Sequence, residues 1–298
     1  MRILKATHLG QCFGVRDAIA LAHQQSAQGP LTILGDLVHN PTVLAGLHAR
    51  GIETTTDPAA IATPTALITA HGASERTRAR VRSRGVELLE ATCPLVHLVH
   101  QAVERLVRDG FHPVIVGQRH HTEVRGLTED LDACDVVLTE AEVDGLAERP
   151  RFGVVAQTTQ PIDRVRSLAA ALRRRFPRSE VRLVDTVCQP TKQRQHAAVE
   201  LAHQCSVVVV VGGAQSNNTR ELVATCQRPG VRVHHVETVA DLRPEWFEAA
   251  DTVGLTAGTS TPDEVIEAVE LRLREWAVPA QAPGTDRVAH HAATASPA

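Results

Sequence analysis

The chain has 298 residues, 43% of them hydrophobic and 22% charged, with 31 basic against 34 acidic side chains and a formal charge of −3. This soluble globular balance suits one large domain or two to three small ones, and it excludes a strongly basic nucleic-acid binder by bulk charge. The longest purely apolar run, Val207 to Val211, is far short of the roughly 20 residues of a membrane span, so no membrane partner is expected.

The start, MRILKATHLGQC, reads as a strand and a turn. It has no charged n-region followed by an apolar h-region, so a cytoplasmic protein is expected. Nine segments then repeat one rule: an apolar strand, a short polar or glycine-bearing loop, and a helical pattern. They begin near residues 2, 31, 66, 86, 111, 152, 181, 206 and 252. With five Phe, two Trp and no Tyr, the core is aliphatic. Such alternation predicts an α/β protein with mostly parallel sheets.

The nine segments fall into three sets. Each set opens with a cysteine at a strand-to-helix turn: Cys12, Cys93 and Cys188. His39 follows the first by 39 − 12 = 27 residues, His121 the second by 121 − 93 = 28, and Ser216 the third by 216 − 188 = 28. The third loops carry His71, then Thr158 and Thr159, then Ser260. We read three similar small α/β lobes around a pseudo-threefold centre. The expected limits are 1–92 (with Cys12), 93–187 (Cys93) and 188–276 (Cys188). The Ala- and Pro-rich stretch 277–298 has no periodicity and reads as a disordered tail.

Ligands of parallel α/β sheets bind where strands end and helices begin. All three loop cysteines lie there, and a helix N-terminus is expected to lower a thiol pKa. A lone cysteine is most often a small core residue; three at equivalent positions instead form a thiolate socket. The socket suits a zinc ion or an iron–sulfur cluster with one open iron. Cys134, Cys205 and Cys226 lack this placement and read as structural. The other loops hold His39, Asn40, His71, His121, Thr158, Ser216, Asn218 and Ser260, neutral donors suited to a phosphate or diphosphate. Helix capping explains single Ser and Thr residues there but not the gathering of histidines. Glu123 is a carboxylate of these central loops and a candidate proton donor. The arginine clusters at 76–84 and 173–178 read as solvated helix faces, equally suited to docking an acidic electron-transfer protein.

Together these loops resemble the IspH (LytB) family, the 4-hydroxy-3-methylbut-2-enyl diphosphate reductases, over about residues 1–275. GQCFGV is similar to the family's GFCxGV. Val38-His39-Asn40 matches VHN, Ala70-His71-Gly72 matches AHG, and Ala91 to Val96 matches ATCPLV. His121-Thr122-Glu123-Val124 resembles HPEV, and Ala156-Gln157-Thr158-Thr159 resembles TQTT. The segment from Cys188 to Gln195 resembles CxATxxRQ, Ser216-Asn217-Asn218-Thr219 the phosphate loop, and TAGTSTP around Ser260 the last motif.

The resemblance implies a [4Fe-4S] cluster on Cys12, Cys93 and Cys188. It implies a diphosphate held by His39, His71, His121, Ser216, Asn217, Asn218 and Ser260, and catalysis by Glu123, Thr158 and His121. It further implies a flavodoxin or ferredoxin-type electron donor. The reaction is loss of the substrate's allylic hydroxyl as water, giving isopentenyl and dimethylallyl diphosphates, the last step of the non-mevalonate isoprenoid pathway. The chain departs from the pattern at Gln11, Gln118, Thr122, Asn217, Gln189 and Pro190. Two other readings stand beside this one: an IspH-like reductase of a different substrate, and a non-catalytic iron–sulfur or zinc redox sensor.

Overall fold

The computed structural model describes residues 1–277; the tail expected beyond these lies outside the described residues. In chain order, β1 (Arg2–Lys5) leads into α1 (Phe13–Ser26). Then follow β2 (Leu31–Leu34), α2 (Pro41–His48), β3 (Glu53–Thr55), β4 (Thr65–Ile68), α3 (Glu75–Arg82) and β5 (Glu87–Glu90). Helix α4 (Pro94–Arg108) carries the chain to β6 (His112–Val116), α5 (Thr122–Thr128), β7 (Asp135–Val137), α6 (Glu140–Asp144), β8 (Arg151–Ala156), α7 (Ile162–Arg175) and β9 (Glu180–Leu183). The last stretch comprises α8 (Gln189–Ala202), β10 (Val207–Val211), α9 (Asn217–Gln227), β11 (Arg232–Val236), β12 (Thr252–Ala257) and α10 (Asp263–Ala277).

The strands form three four-stranded parallel sheets, ordered β3-β2-β4-β5, β7-β6-β8-β9 and β11-β10-β12-β1. This is one topology used three times, as the three-lobed α/β reading expects. Two features differ from it. Strands β3, β7 and β11 add an edge to each sheet beyond the nine segments; the first two have only three residues each, too few to show a period. The first strand, placed by its sequence position in lobe 1–92, pairs with β12 (Ile3 opposite Val253) and completes the third sheet instead. Only the third sheet lacks an edge strand from its own stretch of chain, and the N-terminus fills that place.

Alternate residues of the central strands feed opposite faces. Val207, Val209 and Val211 join one apolar cluster, Val208 and Val210 another. In the second lobe Val114 and Val116 face one way and Ile115 the other. Burial on both faces is why these strands read as unbroken apolar runs. Helix α4 follows from Pro94 in its first turn and from Val96, Val99, Val103 and Leu106 along one buried face. It lies so close to β8 that a Cβ on Gly153 would stand 2.8 Å from a Leu106 methyl. Gly254, at the same place in β12, meets Leu201 of α8 at 2.9 Å in the same way. These close approaches set α4 and α8, each beginning at a cysteine, over the sheet ends that carry the site loops.

Candidate active site

Cys12, Cys93 and Cys188 occupy the N-cap positions of α1, α4 and α8, and none of their side chains caps its helix. Their amides are held in a threefold pattern. Cys12 N–H donates to Thr259 O at 3.2 Å, Cys93 N–H to Ala70 O at 3.1 Å, and Cys188 N–H to Thr158 O at 3.1 Å. Each acceptor follows the next strand inward, β12, β4 or β8. The backbone therefore fixes the three cysteines in place, and Cys188 Sγ lies 3.0 Å from Thr191 Oγ1. Gly14 makes room for one of them: a Cβ there would lie 2.5 Å from Cys93 Sγ.

Burial pushes the Cys188 thiol up to about 11 and raises that of Cys93. The expected lowering by the helix ends is present as hydrogen bonds from backbone amides, but desolvation outweighs it. Such thiols become thiolates when a cationic group arrives. One buried cation already stands by. Arg194 donates from Nε and Nη2 to Gly10 O at 3.0 and 2.7 Å and from Nη1 to Pro190 O at 3.1 Å. With only carbonyl partners, its charge bears on Cys12 and Cys188.

Among the described residues, one set of three potential metal-ligand side chains has its ligating atoms within 4.8 Å of one another: His39, His71 and His121. The cysteines do not form such a set. Three thiolates on one zinc, each about 2.3 Å from it, need sulfurs within about 4 Å of each other. Three thiols outside that limit suit a group of several metal atoms better than a single zinc ion.

The three imidazoles pack as a cluster. His39 stacks on His71 with centroids 4.4 Å apart, and His121 meets both edge-on at 5.0 and 5.2 Å. Burial pushes the His121 pKa down to about 3, with His39 and Arg220 adding to the effect. It holds His71 well below the usual histidine range as well. His121 Nδ1 accepts the Glu123 N–H at 3.2 Å, so its proton resides on Nε2. That tautomer donates to an acceptor and has no lone pair to offer a metal at Nε2. Among the described residues, the buried Nδ1 of His71 and Nδ2 of buried Asn218 have no hydrogen-bond partner, and Nδ1 of His39 has only Asp36 Oδ2 at 3.5 Å. Unpartnered buried polar atoms are costly. An anion with several oxygens would satisfy Asn218 Nδ2, His121 Nε2–H and imidazole N–H groups of this kind.

The remaining expected residues adjoin this cluster. Ser260 donates from Oγ to His39 O at 3.2 Å, and Asn218 Oδ1 accepts the Thr259 N–H at 2.9 Å. Ser216 caps α9, its Oγ accepting the Thr219 N–H at 3.3 Å. Glu123 is 1% exposed. It accepts from Thr158 N at 2.6 Å and Thr158 Oγ1 at 3.0 Å. Burial raises its pKa to about 7 against the lowering by those two donors.

Asn217 is present but engaged elsewhere, with Gln118 and Thr159. Arg194, Gln157 and Arg220 are site neighbours that sequence reasoning missed. Arg194 and Gln157 lie inside quoted motifs, yet nothing local shows that they face the centre. Cys134, Cys205 and Cys226 stay outside: the first two precede β7 and β10, and the third lies buried in the last turn of α9.

A family model described as LytB protein matches residues 3–274. The chain is 35% identical over 279 residues to the 4-hydroxy-3-methylbut-2-enyl diphosphate reductase of Aquifex aeolicus, covering 92% of this chain and 96% of that one. It is 36% identical over 277 residues to the enzyme of the same name from Pelobacter propionicus, with 92% and 98% covered. Among solved structures it superposes on the E-1-hydroxy-2-methyl-but-2-enyl-4-diphosphate reductase of Plasmodium falciparum with a TM-score of 0.85 at 26% identity, covering 91% of this chain and 87% of that one. A second, titled (E)-4-hydroxy-3-methyl-but-2-enyl diphosphate reductase, the terminal enzyme of the non-mevalonate pathway, gives 0.65 at 33% identity, with 92% and 100% covered.

Proposed function

This chain belongs to the LytB family of 4-hydroxy-3-methylbut-2-enyl diphosphate reductases, and from that premise we propose how its own residues carry the reaction. It is an oxidoreductase of isoprene biosynthesis that works with a [4Fe-4S] cluster. Two electrons and two protons convert the allylic alcohol of the diphosphate substrate to isopentenyl or dimethylallyl diphosphate and water. We assign Cys12, Cys93 and Cys188 as the residues that would hold the cluster. When bound, the cluster supplies single electrons and a Lewis-acidic iron without a protein ligand.

The diphosphate goes to His39, His71 and His121, with Ser216, Asn218 and Ser260 around it. Burial disfavours the charged form of His71 and His121; an entering anion favours imidazolium at His71, while His121 donates from Nε2 and keeps the Glu123 N–H on its Nδ1. The free Nδ2 of Asn218 and the hydroxyl of Ser260 complete the donor set. Glu123 holds the proton for the departing hydroxyl. A carboxyl with a pKa of about 7 is substantially protonated at neutral pH. The two Thr158 donors orient it and then stabilise the carboxylate that remains. His121, accepting the Glu123 N–H, fixes the turn from which that carboxyl projects. The electrons come from a flavodoxin or ferredoxin-type protein, and the setting is cytoplasmic. None of the described helices is long and apolar enough to cross a membrane.

The observation that carries the residue assignment is Glu123: a buried acid whose carboxyl, among the described residues, is bonded to Thr158 alone, two residues from His121 of the imidazole cluster. Its test is anaerobic turnover by cluster-loaded protein. The wild type should form both C5 diphosphates, with kcat falling as pH rises through about 7, because the active carboxyl is the protonated one. Glu123→Gln should keep its cluster, lose about 10²-fold or more in kcat and lack that alkaline limb. Full activity in Glu123→Gln would remove the role. A cluster-loaded wild type that leaves the diphosphate unchanged would sink the whole reading.

A further inference from the structure

The side chain of Asn217 is fully engaged away from the imidazole cluster. Its Oδ1 accepts from Gln118 Nε2 at 2.8 Å. Its Nδ2 donates to Thr159 Oγ1 at 2.8 Å and to Thr159 O at 3.2 Å. A side-chain amide has one NH₂ and one oxygen, so both of its groups are taken, and the residue is only 2% exposed. Asn217 is the first residue of α9 in the third lobe. Gln118 and Thr159 lie on two loops of the second lobe, after β6 and after β8. The contact therefore spans two lobes.

The second-lobe partners are themselves bonded to one another. Gln118 N–H donates to Gln157 Oε1 at 3.1 Å, and Gln157 Nε2 donates to Thr159 Oγ1 at 3.2 Å. Gln118, Asn217, Thr159 and Gln157 thus close a ring of hydrogen bonds. Arg220 secures it from the third lobe, donating from Nη2 to Gln118 Oε1 at 2.7 Å. Two of the chain's departures from the family pattern, at 118 and 217, are partners in this ring. The residue before Thr159 is Thr158, whose amide and hydroxyl hold Glu123.

We propose that Asn217 is a positioning residue, a clasp between lobes that keeps Thr158 set against Glu123, and that it does not touch the diphosphate. The proposal rests on the function assigned above. A serine at this position would bear one hydroxyl and so could not supply both the acceptor for Gln118 and the two donor hydrogens for Thr159.

The test uses the cluster-loaded full chain with Asn217→Ala, Asn217→Asp and Thr159→Val. Asn217→Ala is expected to lower kcat about tenfold, the scale of one or two lost positioning hydrogen bonds, with KM for the diphosphate unchanged within about twofold. The solvent deuterium isotope effect on kcat rises, because proton delivery becomes slower. Amide exchange over residues 157–160 becomes faster in the resting, substrate-free protein. Asn217→Asp keeps the size and the acceptor for Gln118 but sets an oxygen against the Thr159 carbonyl. It reads the same loss should the alanine variant fail to fold. Thr159→Val lowers kcat in its own right, and adding Asn217→Ala to it costs little more, because both remove one shared contact. A KM raised tenfold or more, with kcat and exchange unchanged, would make Asn217 a diphosphate contact and overturn the proposal. Unchanged constants and exchange in all variants would overturn it equally. A wild type without turnover counts against the assigned function instead, and the exchange measurement still reads the clasp without substrate.

Discussion

The three cysteines sit at helix N-termini, where peptide dipoles favour a negative charge by about 0.3–1 kcal/mol. At Cys188 and Cys93 burial works the other way and is the larger effect, so these thiols resist ionisation until a cationic group enters. The same rule governs the imidazoles. His71 and His121 are depressed by burial, so they bind no proton at pH 6 to 8 in the empty site. An entering diphosphate favours imidazolium at His71, so binding is coupled to proton uptake and strengthens as pH falls. Inorganic diphosphate should therefore bind more tightly at pH 6 than at pH 8, by up to about tenfold per pH unit for each proton taken up. Calorimetry in buffers of different ionisation enthalpy measures that uptake; a flat affinity with no proton exchange would show the imidazoles to be spectators. The candidacy of Cys12, His39, His71, Glu123 and Ser260 was legible from residue type and place in a strand–loop–helix unit. The protonation states of His71 and Glu123 were not, because desolvation is set by chain packed around them from elsewhere.

Each sheet is one β-α unit pattern repeated, and the repeat depends on small residues where helix and sheet meet. Gly153 in β8 and Gly254 in β12 occupy equivalent places under α4 and α8. A side chain at Gly153 must displace Leu106, and α4 with it. Gly153→Val should cost about 1–3 kcal/mol of stability, as overpacked cores do. It should also lower iron content after reconstitution, since α4 begins at Cys93. Chemical denaturation and iron analysis check the two parts; a variant as stable and as iron-rich as the wild type would show that α4 yields without moving the site. The element scale also corrects one reading. The arginines of 76–84 do not form a wholly solvated face: Arg78 is buried and pairs with Glu90 at 2.8 Å and Glu75 at 3.0 Å. A charge run shows no period by which the one inward member could be picked out.

In the whole molecule the chain closes on itself, its first strand completing the sheet built by its last ones. Arg2 N–H donates to Asp251 O and Ala6 N–H to Leu255 O, both at 2.9 Å. The loop from β1 then delivers Cys12 to the centre, with Gly10 O held by Arg194 from α8. Removing residues 1–6 should therefore unfold the third lobe before the second, although the deletion is remote from it in sequence. Limited proteolysis should cut first within 205–260, and cluster assembly should fail. Early cutting within 31–90 instead would place the strand's contribution in the first lobe.

From the sequence by itself came the repeated strand–loop–helix unit, the parallel sheets, and the cysteines, imidazoles and carboxyl at strand ends. These are local properties: apolar period, turn chemistry and residue type within some twenty positions. The tertiary structure alone decided the sheet to which β1 belongs, the pairing of Gln118 with Asn217 across 99 residues, and the seating of Arg194 on Gly10 across 184. It also decided that Glu123 titrates near 7. Each of these depends on which distant segment supplies a hydrogen-bond partner or excludes water, and no local pattern encodes that choice.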